Sequence, residues 1–340
     1  MLISNFNKIH IFTFFVIFGS IFYGCSTQNN ENINIFPVVF SFSKNQNVDI
    51  YKLSSLGGEL TQLTTDKSSE TKPTWSPDKN TIAYLSDING TNTLWVMDSN
   101  GKSKKEILDS DIKVNNFFWS PDSKKIAAEI NRNQKLNIII IDLETNSKET
   151  LNLPYDKAFI GDWSPDGKWL LYTVEDAKNK GVKRKSITGV DEFTITTEED
   201  YMPQWSPNGK WISFIRKNSL GNFDLVHTDI YGDKEEIILK NTITKIDYDW
   251  SSDSKNIIFS RKDKVSNMNE IYKVEIKNQS LKQLTFNRVN DLQPKWNNKN
   301  SNIIFSSENE EILDLYSMLI DGSEQTRLTK NIEKFLDADW

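Results

Sequence analysis

The sequence contains little cysteine and little histidine. Cys25 is the only cysteine among 340 residues, and His10 and His227 are the only histidines. A disulfide framework needs paired cysteines, and zinc or iron sites with several Cys or His ligands need more of these residues than the chain has. A Ser-His-Asp triad would have to use His227, for which a structural role on a strand is the simpler interpretation. We therefore expect no catalytic residue, no cofactor and no metal.

Positive charge is also in deficit. The 41 Lys and Arg residues are outnumbered by 47 Asp and Glu residues, which gives a net charge of −6. Proteins that bind nucleic acid neutralise its phosphates with clustered positive charge. The acidic balance therefore argues against nucleic acid as a partner.

The amino terminus has the features of a targeting segment. Lys8 is followed by about fifteen mostly apolar residues that end at Gly24, whereas a spanning helix needs about twenty. The position of Cys25 resembles the lipobox of bacterial lipoproteins, in which this cysteine is acylated and becomes the first mature residue. Phe22 and Tyr23 are bulkier than the usual lipobox residues, and an uncleaved signal anchor is the alternative. We predict a lipoprotein signal peptide over residues 1–24, then an acylated Cys25 and a flexible tether over 25–35.

An internal repeat is the strongest signal in the sequence. Seven tryptophans recur at intervals of 42 to 46 residues: Trp75, Trp119, Trp163, Trp205, Trp250, Trp296 and Trp340. The first three open a Trp-Ser-Pro-Asp turn, and three short β-rich runs follow each of the first six. Pro, Asp, Asn and Gly between the runs favour tight turns. Each repeat is therefore predicted to hold four strands: A, which ends at the tryptophan, then B, C and D.

The two ends of the repeat series indicate how many blades there are. Six complete units run from about residue 71 to 330, and residues 37–65 contain matches to strands B, C and D alone. Residues 337–340 supply a strand A with nothing after it. Four strands in about 40–45 residues are typical of a propeller blade. We predict an all-β, seven-bladed β-propeller of four-stranded antiparallel blades over 36–340, closed by strand 337–340 joining the strands of 37–65, which removes free sheet edges.

The repeat pattern, Trp-Ser-Pro-Asp-Gly followed by Ile-Ala-Phe-like, Ile-Tyr and Leu-Thr runs, resembles the TolB-type, WD-like propeller repeats. The resemblance covers roughly residues 36–340 and implies the fold more than a function, because such repeats serve many roles. TolB itself has an additional N-terminal domain, for which this chain has no room. The resemblance therefore implies a TolB-like propeller lipoprotein.

The two faces of the predicted ring should differ. Alternating strand direction places the A–B and C–D turns on one face, here called the turn face, and the B–C and D–A loops on the other, the loop face. The turns are short and stereotyped, whereas the loops vary in length and composition. Because binding residues concentrate on variable loops held by a rigid scaffold, we expect the ligand to bind at the loop face and the mouth of the central channel.

Charged residues close to the repeat tryptophans are candidates for binding in the channel or at its rim. Those one or five positions before a tryptophan are Glu70, Asp162, Asp200, Asp249, Asp291, Lys295 and Asp339. They would form an acidic rim that attracts a cation or a basic partner segment; ordinary turn capping is the alternative. The basic run Lys178–Lys185 interrupts the usual apolar strand C, and we expect a solvated, irregular edge there, with an acidic partner or a lipid headgroup as the alternative.

The favoured function is a non-catalytic cell-envelope lipoprotein, anchored to a bacterial membrane through its lipid, with an extracytoplasmic, monomeric propeller that binds a protein or peptide. One alternative is an envelope enzyme that acts on a polysaccharide or peptide through carboxylates at the channel mouth. Oligogalacturonate lyases have related rings but rely on histidine metal ligands that this chain lacks. A second alternative is a sensory or assembly subunit of an envelope complex.

Overall fold

A computed structural model describes residues 37–44, 47–53, 59–88, 90–132, 135–242, 247–297, 299–309, 312–329 and 334–339. The predicted signal peptide, Cys25 and the tether lie outside these residues, as does Trp340. The described part of the chain is built from strands, and none of it is a helix long and apolar enough to span a membrane.

The strands are numbered in chain order. The first three are β1 (Val38–Lys44), β2 (Asn47–Leu53) and β3 (Thr61–Gln62). The first blade holds β4 (Glu70–Trp75), β5 (Thr81–Ser86), β6 (Thr93–Asp98) and β7 (Lys105–Glu106). The second holds β8 (Lys113–Trp119), β9 (Lys125–Arg132), β10 (Lys135–Asp142) and β11 (Lys148–Leu151). The third holds β12 (Ala158–Trp163), β13 (Trp169–Val174), β14 (Gly181–Ser186) and β15 (Glu192–Thr194).

The remaining blades repeat this order. The fourth holds β16 (Asp200–Trp205), β17 (Trp211–Lys217), β18 (Phe223–Asp229) and β19 (Glu236–Thr242). The fifth holds β20 (Tyr248–Trp250), β21 (Asn256–Lys262), β22 (Asn269–Glu275) and β23 (Ser280–Gln283). The sixth holds β24 (Asp291–Trp296), β25 (Asn302–Asn309), β26 (Ile312–Leu319) and β27 (Thr326–Arg327). The last strand is β28 (Lys334–Asp339).

The seventh blade is assembled from both ends of the propeller. Its strand order is β28-β1-β2-β3, and β28 pairs antiparallel with β1, Val39 opposite Asp339 and Ser41 opposite Asp337. The other six sheets are each made of four consecutive antiparallel strands. The predicted seven-bladed ring and its closure by the C-terminal strand are therefore confirmed, with the closing strand beginning at Lys334.

The Ser-Pro-Asp segments are turn elements, as their recurrence indicates. In the first blade the Ser76 hydroxyl donates to Asp78 Oδ1 at 2.6 Å and accepts the Thr81 N–H at 3.0 Å. Ser164 and Asp166 repeat the same contact at 2.6 Å. Each turn thus satisfies its own polar groups, and the aspartates serve the fold.

The repeat tryptophans fill the spaces between neighbouring blades. Trp75, Trp163 and Trp205 are almost fully buried, each within an apolar cluster shared with the preceding blade. Burying an aromatic side chain of this size contributes about 2–3 kcal/mol. The Trp163 indole N–H also donates to the Phe118 carbonyl at 3.1 Å, which ties the third blade to the second.

Candidate functional site

Strand A of each blade lines a central channel. The residue immediately before each repeat tryptophan is partly exposed, while the residue before that is buried in the first six blades. The seven partly exposed positions, here called the channel ring, are Thr74, Phe118, Asp162, Gln204, Asp249, Lys295 and Asp339. Five of them line one cavity of about 760 Å³ that spans the ring. The alternation of strand A therefore brings these five side chains to the cavity, and their binding of a ligand stays a prediction.

Three carboxylates of the channel ring tie adjacent blades together. The Asp162 carboxylate accepts the backbone N–H of Trp205 at 2.9 Å, and the Asp249 carboxylate accepts the backbone N–H of Trp296 at 2.8 Å. Asp339 accepts the Trp75 N–H at 2.8 Å, so the same contact closes the ring between its last and first blades. These predicted ligand-binding residues hence have a structural role in the fold, although they also face the channel.

Lys295 is the cation of the channel ring. Its Nζ lies 3.9 Å from Asp249 Oδ1, and this carboxylate is the largest cause of the raised pKa of Lys295, with Asp339, Asp247 and Asp162 adding to it. Lys295 therefore stays charged. Burial raises the pKa of Asp162 to about 7, against the opposing effect of the two N–H groups that it accepts. The channel thus combines a fixed positive charge with a carboxyl group that titrates near neutral pH.

The channel mouth on the loop face is lined by residues three positions before the tryptophan. Lys72, Met202 and Gln293 have φ angles of 51°, 52° and 53°, in the left-handed region, and strand A is bulged at each of them. Met202 and Gln293 line a second cavity of about 210 Å³, together with Asp247 and Asp337. We did not predict these residues from the sequence. A proline follows each of the three bulged residues, and this proline, which recurs two positions before the tryptophan, was the signal in the sequence.

Glu70, Asp200 and Asp291 do not form the expected acidic rim. All three are almost fully buried between blades. Asp200 receives two parallel hydrogen bonds from Arg216, at 2.7 and 2.9 Å, and Asp291 accepts the Asn287 amide at 2.8 Å. Burial raises the pKa of each of these carboxyl groups. The prediction that they line the channel mouth was wrong because strand A turns them into the blade junctions at its bulges.

His227 and the basic run are also part of the folded sheets. His227 is buried, stacks on Trp211 with ring centroids 4.8 Å apart, and has a pKa lowered by burial. Gly181–Ser186 forms a regular strand with Lys183 and Arg184 buried, so the expectation of a solvated, irregular edge was wrong for this half of the run. Within the described residues, no group of three or more His, Cys, Asp or Glu side chains is placed to hold a metal ion.

The loop face presents large apolar side chains to solvent. Leu220 in the fourth B–C loop is 77% exposed, Val265 in the fifth B–C loop is 95% exposed, and Phe286 in the loop between the fifth and sixth blades is 76% exposed. Polar side chains fix these loops: Asn218 Oδ1 accepts the Leu220 N–H at 3.1 Å, and Asp263 Oδ2 accepts the Val265 N–H at 2.8 Å. The apolar residues are therefore held outward by ordered turns.

The comparison with protein families decides the classification. The family described as the TolB beta propeller domain matches residues 36–153 and 112–269, which together exceed half of the chain. The chain belongs to the TolB β-propeller family. No curated protein sequence matches it.

Solved structures resemble this TolB-family chain in fold. TolB from Acinetobacter baumannii is 14% identical with a TM-score of 0.58, covering 90% of this chain and 67% of that one. Oligogalacturonate lyase from Vibrio parahaemolyticus is 15% identical with a TM-score of 0.67, covering 83% and 86%. A puromycin-hydrolyzing peptidase from Mycobacterium tuberculosis is 10% identical with a TM-score of 0.66, covering 88% of this chain and 54% of the peptidase. At such identities the likeness establishes the propeller fold, which binding proteins and enzymes share.

Proposed function

We propose that this TolB-family propeller is a non-catalytic cell-envelope lipoprotein that binds a protein or peptide partner through its loop face. The observation that carries the proposal is the exposed apolar set Leu220, Val265 and Phe286, which lies on three loops of the same face between the fourth and sixth blades. Met202, also exposed, lies at the channel mouth in the same sector of the ring.

The energetics of these side chains favour a partner. Burying an apolar side chain of this size contributes about 1.5–3 kcal/mol, and an apolar set on one face marks an interaction surface. Since Asn218 and Asp263 already order the loops, little conformational entropy remains to be lost on binding. The A–B turns of the opposite face carry Ser, Pro, Asp and Lys instead.

An in-cell crosslinking experiment tests this assignment. A photo-crosslinking amino acid is placed at Val265 or Phe286 on the loop face, and at Lys210, an exposed A–B turn residue, as the matched control. We expect one protein partner to be captured from the two loop-face positions and not from Lys210. Equal capture from all three positions, or none from the loop face, would contradict the proposal.

The membrane attachment is tested separately at Cys25. Acylation there would place the propeller at the membrane on a tether of about ten residues. We expect a Cys25→Ala variant to lose incorporation of an alkyne-tagged fatty acid and to leave the membrane fraction. Continued labelling of the variant would show that the cysteine is not the acceptor.

An enzymatic role in the channel is the alternative that one observation favours. Asp162, with a pKa raised by burial to about 7 and lowered in part by the charge of Lys295, could exchange a proton at neutral pH. Both its oxygens already accept tryptophan N–H groups, however, which commits it to joining blades. Cleavage of a polysaccharide or peptide by the purified propeller, lost in an Asp162→Asn variant, would replace the binding proposal.

Capture of several different proteins in the crosslinking experiment would instead indicate that the propeller is an assembly subunit of an envelope complex.

A further inference from the structure

We infer that the protein has a second contact surface, centred on Arg184 at the outer edge between the third and fourth blades, that takes a carboxylate from an acidic protein segment. This surface, here called the Arg184 cage, consists of Arg184, Trp169, Phe193 and Tyr231. It lies on the turn-face side of the ring and does not depend on the loop-face partner.

The cage surrounds the guanidinium with aromatic rings. The Arg184 Cζ lies 4.7 Å from the centroid of Trp169, 4.8 Å from that of Phe193 and 5.3 Å from that of Tyr231. Arg184 itself is 5% exposed, whereas Phe193 is 44% and Tyr231 63% exposed. The rings therefore form a rim that reaches solvent around a recessed cation.

The cation has no counter-charge among the residues that the structure describes. Among the described residues, no ion pair and no hydrogen bond joins the Arg184 guanidinium to a side chain or a carbonyl, and its buried Nε has no acceptor. Burial lowers the pKa of Arg184, yet a guanidinium keeps its proton at any physiological pH. Burying an unpaired charge is unfavourable, and contact with aromatic faces offsets only a part of that cost.

Equivalent positions in two other blades show what Arg184 lacks. Lys52 in the seventh blade and Lys273 in the fifth occupy the same place on strand C as Arg184. Lys52 Nζ donates to the Ser99 carbonyl at 2.7 Å, and Lys273 Nζ donates to the Ile320 carbonyl at 3.0 Å. Both carbonyls belong to the C–D turn of the next blade. Arg184 faces the corresponding turn but makes no such bond, so its donors are left for a ligand.

The neighbouring turn holds the cage in shape. Gly232, at φ 85°, packs directly on the third blade, since a Cβ there would lie 2.3 Å from the Ile195 carbonyl oxygen. Asp229 Oδ1 accepts the Tyr231 N–H at 3.1 Å and so fixes the residue that covers Arg184. The cage is thus formed before any ligand arrives, which reduces the entropic cost of binding.

The chemistry of the cage selects an acidic segment with apolar neighbours. A guanidinium binds a carboxylate through two parallel hydrogen bonds, a geometry that a lysine cannot reproduce. Phe193, Tyr231 and Val190, which is 91% exposed in the adjoining turn, offer apolar contact on either side of that charge. A short stretch in which glutamates alternate with apolar residues fits both features.

A binding measurement with a defined peptide tests the inference. The probe is a fluorescein-labelled peptide in which glutamate alternates with leucine and serine, and its control has glutamine in place of glutamate. Fluorescence anisotropy with the full chain should give saturable binding for the glutamate peptide and at least about tenfold weaker binding for the glutamine peptide. Equal binding of the two peptides, or no saturable binding of either, would overturn the inference.

Two variants assign the effect to Arg184. In Arg184→Lys the new ammonium can reach the turn carbonyl as Lys52 and Lys273 do, so the variant should fold normally and bind the peptide about tenfold more weakly. Lys273→Met, at the equivalent position of the fifth blade, should leave binding unchanged. Unchanged binding by Arg184→Lys would refute the cage as the site. Binding to vesicles of phosphatidylglycerol is measured in parallel. Vesicle binding that depends on Arg184, without binding of the glutamate peptide, would indicate a lipid headgroup as the ligand and would also refute the inference.

Discussion

The turn face and the loop face of the ring use polar residues in opposite ways. On the turn face, Ser76 and Asp78 bond to each other and to their own backbone, and equivalent pairs recur from blade to blade. On the loop face, Asn218 and Asp263 hold turns that expose Leu220 and Val265. The same hydrogen-bonding chemistry thus closes the A–B turns on themselves and displays apolar side chains on the loop face.

The contrast separates residues that build the ring from residues that are available to a partner. What recurs, such as the tryptophan of each repeat and the aspartate beside it in three of the seven blades, joins neighbouring blades. What occurs once, such as Phe286 or the Arg184 cage, has no counterpart that explains it as scaffold. Non-recurring exposed or unpaired residues are therefore the better guide to binding in a repeat protein.

Opening the ring should disrupt the turn face and the loop face together, because both faces depend on the closed ring of blades. Deletion of residues 335–340 removes most of β28, exposes the edge of β1 and removes the Asp339 contact to Trp75. We expect the melting temperature, followed by circular dichroism, to fall by at least about 10 °C. Removal of residues 26–34 serves as the control and should leave the melt unchanged. A deletion protein that melts like the full chain would mean that the ring does not need this strand.

A channel-ring carboxylate should matter more to stability than a turn-face carboxylate. Asp249→Ala removes the acceptor of the Trp296 N–H and the nearest counter-charge of Lys295, so we expect a loss of about 2 kcal/mol in the free energy of unfolding. Asp166→Ala removes only a turn contact and should cost about 1 kcal/mol. Denaturant titration measures both values. A larger loss in the free energy of unfolding for Asp166→Ala than for Asp249→Ala would contradict the view that the channel-ring carboxylate joins blades and the turn carboxylate does not.

The buried acids beneath the loop face should make stability depend on pH. Burial raises the pKa of Asp291. It also raises the pKa of Glu270, whose carboxylate, like that of Asp291, interacts with the Thr285 hydroxyl. Because the folded chain holds these protons more tightly than the unfolded chain, their contribution is full at low pH and is lost as pH rises through the raised folded pKa values. We expect Asp291→Asn to reduce the fall in melting temperature, as pH rises from 4 to 8, by a few degrees. The exposed Asp233→Asn is the control, and an unchanged pH profile for Asp291→Asn would show that the pKa of Asp291 is not raised in the folded chain.

The sequence predicted the ring better than it predicted the site. Regular spacing of Trp75 and its equivalents fixes blade number and strand order, because each repeat must bury the same apolar face. Glu70 and Asp291 were misplaced because a strand bulge shifts the alternation of side chains, and single-sequence periodicity assumes a regular strand. The Arg184 cage joins residues from two blades, and no pattern within one repeat indicates such a contact.

The most direct test of the account exchanges the apolar loop residues while leaving the ring intact. A triple variant, Leu220→Ser, Val265→Ser and Phe286→Ser, changes only exposed side chains, so its free energy of unfolding should stay within about 0.5 kcal/mol per site of the wild type. The measurement is partner recovery with the anchored variant in cells, compared with an equally expressed wild-type chain. We expect a stable propeller that no longer captures its partner. A stable variant that captures the partner as well as the wild type does would contradict it.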